Sequence, residues 1–376
     1  MTQDGEMHVP RSPRPSHLFT AVRRPAPIAA GIVAIAAVVV VSGCGSSGDT
    51  SSTPNVPTVT PATAEQAPPG PAAAPAGAVV PTPAHSRGLA IDSSTVAVLD
   101  PAGTTVLRYA TDRISDVPQR STTPPLTRIV GGGDGSFLGV GSDVIARIAA
   151  DGAVTTTPIS AADPTAVART ASGQVLLGTA DGRLLVFDRD LQPVRVIDKF
   201  IRVDDITVSP SGADLSDEQV VVLDRAQSSV TPVTISDGDL GPALRAGNGA
   251  TNSTVDRYGR VLVANTRDDE IIGFFGSPLV MRFRYPVSAG PYAVDYDDTH
   301  NLMWVSTTAN NEVVAYDLSG GEPVAKQRFP AVAQPDSIAV DNTSGTVYVL
   351  SDRGGLQVVP PAYRPPGVAG VGPSGR

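Results

Sequence analysis

Few side chains in this sequence are equipped for chemistry. It holds 1 cysteine, Cys44, and of its 4 histidines only His85 and His300 lie beyond the first 43 residues. That stock is too small for a three-histidine zinc site, an H-E-x-x-H helix or a Ser-His-Asp triad of the usual kind. A lone cysteine excludes a disulfide framework and a Cys-cluster metal site. No G-x-S-x-G elbow occurs. The run Gly131-Gly132-Gly133-Asp134-Gly135 lacks the Gly-Lys-Ser/Thr ending of a phosphate loop, so it reads as a flexible turn between strands. Carboxylates remain: Asp204-Asp205, Asp237-Gly238-Asp239, Asp268-Asp269 and Asp295-Tyr296-Asp297-Asp298. Oxygen ligands of this kind suit Ca²⁺, but aspartate also closes turns by bonding the nearby backbone, and the turn reading is preferred. Neither a metal nor another cofactor is expected.

The cysteine stands in a context of its own. Residues 28–41, from Ile28 to Val41, are fourteen in a row without a charge, behind a basic segment carrying Arg11, Arg14, Arg23 and Arg24. At 1.5 Å per residue that run covers about 21 Å as a helix, short of the roughly 30 Å hydrocarbon slab, and reads as the apolar core of a signal peptide. Val41-Ser42-Gly43-Cys44 then follows in the order aliphatic, small, small, cysteine. This resembles the lipobox of bacterial lipoproteins. The resemblance implies cleavage between Gly43 and Cys44, diacylglyceryl transfer to the Cys44 thiol, and a protein held by acyl chains on the extracytoplasmic face of the cell membrane. Arg23-Arg24 is followed by Pro25-Ala26-Pro27, unlike a twin-arginine signal, so the general secretory route is expected.

Net charge is −9, and since residues 1–43 carry +2, the remainder carries −11. An acidic body argues against nucleic acid as a partner. Residues 44–86 are rich in Ser, Thr, Pro and Ala, with few large apolar side chains to repay the ordering of their backbone, and read as a disordered tether. Residues 362–376 read as a flexible tail.

The elements that must position any site come from a repeat. Short β-branched runs recur at intervals of 38 to 45 residues, beginning with Val96-Ala97-Val98-Leu99 and ending with Val347-Tyr348-Val349-Leu350. Each is preceded by a strand, as in Ser337-Ile338-Ala339-Val340-Asp341, and followed by another, as in Leu356-Gln357-Val358-Val359, with Asp, Asn, Ser and Gly in the turns. Runs such as Gln219-Val220-Val221-Val222-Leu223 do not alternate, as expected of strands buried on both faces. Seven strand-rich units of this length predict an all-β fold, a single seven-bladed β-propeller over residues 87–361. A two-sheet sandwich or a β-solenoid is the alternative. The last unit has three strands before Pro360-Pro361, so its outer strand is expected from Ala78-Val79-Val80, which would close the ring.

Pro291 to Tyr316 and Pro335 to Val359, with a proline leading the inner strand and an Asp-rich turn before a V-Y-V-like strand, resemble NHL and YVTN propeller repeats. With the lipobox, the whole is similar to mycobacterial lipoproteins of the LppL type. That resemblance implies no reaction. Propeller lactonases and sugar-acid hydrolases hold a divalent metal in the channel, commonly with a glutamate near the ring start. Here Glu65, Glu218, Glu270, Glu312 and Glu322 are the glutamates beyond the signal, and none opens an inner strand. The expected function is therefore a non-catalytic binding or assembly module, with a metal-dependent lactonase or hydrolase as the alternative. The partner is an unidentified protein, glycan or small molecule. Loops leading into inner strands share one face with those between second and third strands, and charge concentrates there. Equivalent inner-strand starts place Arg87, Arg128, Asp205, Tyr292 and Asp336 round one channel mouth as the candidate binding rim.

Overall fold

The computed structural model describes residues 57–69, 73–161 and 163–363. The signal segment, the Gly43–Cys44 junction and tail residues 364–376 lie outside them.

Seven antiparallel sheets follow one another round the ring, and the first six run from an innermost to an outermost strand in sequence order. Blades one to six begin at Gly88, Arg128, Pro164, Asp205, Ala250 and Pro291. Blade seven consists of Pro335–Val340, Val347–Ser351 and Leu356–Val359, and its fourth strand is Ala78–Val80. The register pairs Ala78 with Val358, Val79 with Gln357 and Val80 with Leu356. The ring is thus closed by its own two ends. Gly77 makes the approach possible: its φ is +71°, and a Cβ there would stand 2.2 Å from the Val358 carbonyl oxygen.

Burial explains the unalternating second strands. Val220 and Val222 enter the cluster shared with blade three, beside Leu176 and Leu184, whereas Val221 and Leu223 enter the one shared with blade five, beside Val261 and Val263. Every pair of neighbouring blades has one such cluster, including Val80, Val96, Val98, Tyr348 and Leu350 where blade seven meets blade one. A blade alone would leave both of its apolar faces wet, and closure buries both. Trp304 is fully buried in blade six, its ring 5.6 Å from that of Phe329.

Two of the aspartates considered for a metal, Asp205 and Asp295, act as brackets between blades, and so does Asp92. Asp92 accepts bonds from the Gly133 and Gly135 amides of blade two at 2.6 and 2.7 Å. Asp205 accepts from the Ser253 amide and hydroxyl of blade five, both at 2.9 Å. Asp295 of blade six takes the Val340 amide of blade seven at 2.8 Å. The glycine run is corrected by the same contact. Gly131 to Gly133 belong to the innermost strand Arg128–Gly133 and not to a turn, and a Cβ on Gly131 would come within 2.9 Å of the Asp92 carboxylate. Glycine is needed there for close approach of two blades. Blade four departs from the pattern: its outer strand is reduced to Asp239–Leu240 and Leu244–Arg245, with the Pro232 position of the neighbouring strand left between them.

Candidate binding face

Innermost strands of all seven blades line a central channel, whose wall includes Leu89, Ile129, Val167, Ile206, Val294 and Ile338. At its mouth the five rim residues take different roles. Arg87 donates from Nε to the Pro101 carbonyl at 2.7 Å. Arg128 donates from Nε to Thr165 O at 2.7 Å and from Nη1 to Thr127 O at 2.8 Å. Neither arginine has an ion-pair partner among the described residues. Arg128 is open to solvent yet ringed by protein. Burial lowers its pKa, while Asp205 and Tyr292 act against that shift, so these three rim groups do converge. Asp205 is spent on blade five, and its burial raises its pKa. Tyr292 offers its carbonyl to Asn252 Nδ2 at 3.1 Å.

Asp336 is the unsettled member. One of its carboxylate oxygens is buried without a hydrogen-bond partner. Burial, and then repulsion from Asp352, push its pKa up to about 7, with His85 pulling the other way. Together with Ser86, Arg87, Arg128, Asp163 and Arg202 it lines a depression of about 520 Å³. Arg202 is already paired with Asp204 at 2.8 Å.

A raised carboxyl pKa means that the folded state holds a proton that the unfolded state releases near pH 4. Stability attributable to this group therefore falls as pH rises from about 4 to about 7. Asp336→Asn removes the titration. The variant should match the wild type at pH 4 and exceed it by about 4 kcal/mol at pH 8, since the carboxyl's pKa rises from about 4 to about 7 on folding and each tenfold is worth about 1.4 kcal/mol. Denaturant unfolding across that range checks this, and parallel profiles for the two proteins would refute it.

The rest of the face is not open. Within the stretch expected as tether, residues 57–69 form neither helix nor strand, in keeping with their composition, yet they lie across blades four to seven. The Val59 amide donates to Ala226 O at 2.7 Å. Arg225 donates to Ala62 O, Arg267 to Thr60 O at 2.8 Å and Arg353 to Ala67 O at 3.0 Å. Gln334 bonds twice, donating to Glu65 O at 2.7 Å and accepting from the Ala67 amide at 3.0 Å. Ala62 and Ala67 are buried. Sequence reasoning missed this strap because its bonds all use backbone atoms, which leave no side-chain pattern. The charged loops carry the matching signal, since Arg225, Arg267 and Arg353 occupy them. Their other charges are spent locally: Asp181 on Arg183 at 2.9 Å, Glu270 on Arg284 at 2.6 Å, and Glu312 on Arg328.

The two histidines stand apart. His300 contacts Asp297 at 2.9 Å on the opposite face, and His85 Nδ1 lies 3.0 Å from Asp352 beside the depression. Among the described residues no group of three or more His, Cys, Asp or Glu side chains is placed to hold a metal ion.

No protein-family model matches the chain, and no curated protein matches it. Solved structures do. Virginiamycin B lyase from Staphylococcus aureus is similar over 73% of this chain and 94% of its own, with a TM-score of 0.60 and 14% identity. A structure of a catalytically inactive form of that lyase with quinupristin covers 75% of this chain and 95% of its own, at TM-score 0.60 and 14% identity. Kuenenia stuttgartiensis hydrazine synthase matches over 74% of this chain and 96% of its own, at TM-score 0.61 and 12% identity. At such identities the likeness is one of fold, and what the chain shares with these proteins is the seven-bladed β-propeller.

Proposed function

We propose that this protein is a lipid-anchored, extracytoplasmic binding module without catalytic activity, whose ligand enters the open sector of the loop face. Arg87 and Arg128 carry the reading. They are two guanidinium groups bonded only to carbonyls, beside a carboxylate with an orphan oxygen. An anionic group on the ligand would meet the arginines through charge-assisted bonds, and a donor on the same ligand would satisfy Asp336. A merely structural rim needs no such surplus of unpaired charge.

Crosslinking in intact cells, followed by identification of what the protein retains, tests the site. Replacing Arg128, Tyr292 and Asp336 together by Ala should cut capture at least tenfold while the unfolding midpoint stays within a few degrees. Capture that survives those changes but fails on substitution of Tyr258 and Arg260, on the opposite face, would move the site there.

A catalytic reading has one observation in its favour. His85 and Asp352 form the kind of pair that general-base catalysis uses, at the edge of the same depression. Turnover of a panel of cyclic esters that is lost in His85→Ala would establish it. Stoichiometric metal in the purified protein, with chelator-sensitive turnover, would instead establish the metal-dependent hydrolase.

A further inference from the structure

The strap is the strongest unexplained feature of the molecule. We propose that the groove beneath residues 57–69 is an exchangeable peptide site, which takes an extended, proline- and alanine-rich segment of a partner protein in place of the strap.

The groove is built for a backbone. Its six hydrogen bonds to the strap end on the main-chain atoms of Val59, Thr60, Ala62, Glu65 and Ala67. None requires a particular peptide side chain. Selectivity comes from size: Ala62 is 7% and Ala67 6% exposed, so small residues five positions apart are demanded. The floor is shaped to match. A Cβ on Gly249 would stand 3.1 Å from Ala62 Cβ, and one on Gly290 would stand 2.9 Å from the Glu65 side chain. Prolines 57, 61, 68 and 69 restrict the free chain, which lowers the entropy lost on docking for any peptide of this composition.

The strap also fits incompletely. Arg225 Nε remains buried without a hydrogen-bond partner beneath it. A peptide that places one more acceptor there gains a bond that the strap does not make. Because recognition is backbone-directed, the strap is one acceptable occupant among many, and its covalent link makes it a standing competitor that a tighter partner must displace.

The test uses the chain deleted for residues 57–69 but otherwise complete, its fold verified by cooperative thermal unfolding, and a labelled synthetic peptide of sequence 57–69. The deletion chain should bind one peptide at least tenfold more tightly than the intact chain does. Arg225→Ala with Arg267→Ala should weaken binding tenfold or more. A peptide carrying Ala62→Phe and Ala67→Phe should not bind. A peptide that keeps its prolines and these two alanines, with its other side chains scrambled, should bind within threefold of the original. A folded deletion chain that ignores the peptide, or equal affinity in the intact chain, overturns the proposal. Failure of the scrambled peptide also overturns it, since the groove would then serve its own strap only. If the deletion chain does not fold, hydrogen exchange of the intact chain decides: excess free peptide must speed exchange across residues 57–69, and no change overturns the exchangeable site.

Discussion

Removing residues 77–81 should lower the unfolding midpoint by about 10 to 20 °C. The loss begins at the ladder, where three register pairs with Leu356, Gln357 and Val358 disappear and leave a buried strand edge unpaired. It extends to packing, because Val80, 8% exposed, fills the cluster between blades seven and one. Burial of one valine contributes about 2 kcal/mol, and each buried donor or acceptor left without a partner costs about 1 to 3 kcal/mol. A total near 5 kcal/mol shifts the midpoint of a domain this large by about 2 to 4 °C per kcal/mol. Deleting 57–69 is the contrast. Its hydrogen bonds, at about 1 kcal/mol net each, oppose a backbone-ordering cost of similar size per residue, so the midpoint should move by only a few degrees. Calorimetry on the two deletions decides. A shift under about 3 °C for 77–81 would mean that the ring does not depend on its terminal strand.

How far the sequence reaches depends on what kind of force shapes each part. Blades are legible because each interface repeats the same demand: a second strand with two buried faces must be apolar at consecutive positions, as in Val220 to Leu223. Closure is legible because Pro360-Pro361 leaves the last sheet one strand short. The glycine run is misread because glycine signals a turn and a close approach equally well, and only the partner, Asp92, distinguishes them. The rim positions follow from repeat equivalence, but their chemistry does not. Asp205 and Asp336 both stand near inner-strand starts, but Asp205 pairs with Leu223 while Asp336 sits at the bulge between Pro335 and Ser337; one is consumed by Ser253 of the next blade and the other keeps a bare oxygen. That difference depends on neighbours brought in by ring closure, which no local pattern encodes. The strap is illegible for the opposite reason, since its own composition says only that it will not form helix or sheet.

Changing Cys44 to Ala should move the protein entirely from the membrane fraction to the soluble one and abolish acyl labelling. Acyl anchoring is additive: each buried CH₂ contributes about 0.8 kcal/mol, one acyl chain holds a protein only marginally, and two or three make attachment stable. No helix among the described residues is long and apolar enough to cross a membrane, so nothing in the propeller supplies a helical span to replace the acyl chains. Covalent geometry then limits how the face can be presented. Pro57 stands 13 positions after Cys44, a reach of about 45 Å at most, whereas Ala78 stands 34 positions after it, a reach of about 115 Å. With Cys44 held at a membrane, a docked strap would keep the loop face on a short leash, and an empty groove would lengthen it. Arg225→Ala with Arg267→Ala should leave the membrane fraction and acyl label unchanged, because the strap sets distance and the thiol sets attachment. Wild-type protein that takes no acyl label, together with a Cys44→Ala variant that remains equally membrane-bound, would remove the lipid anchor and with it the extracytoplasmic assignment.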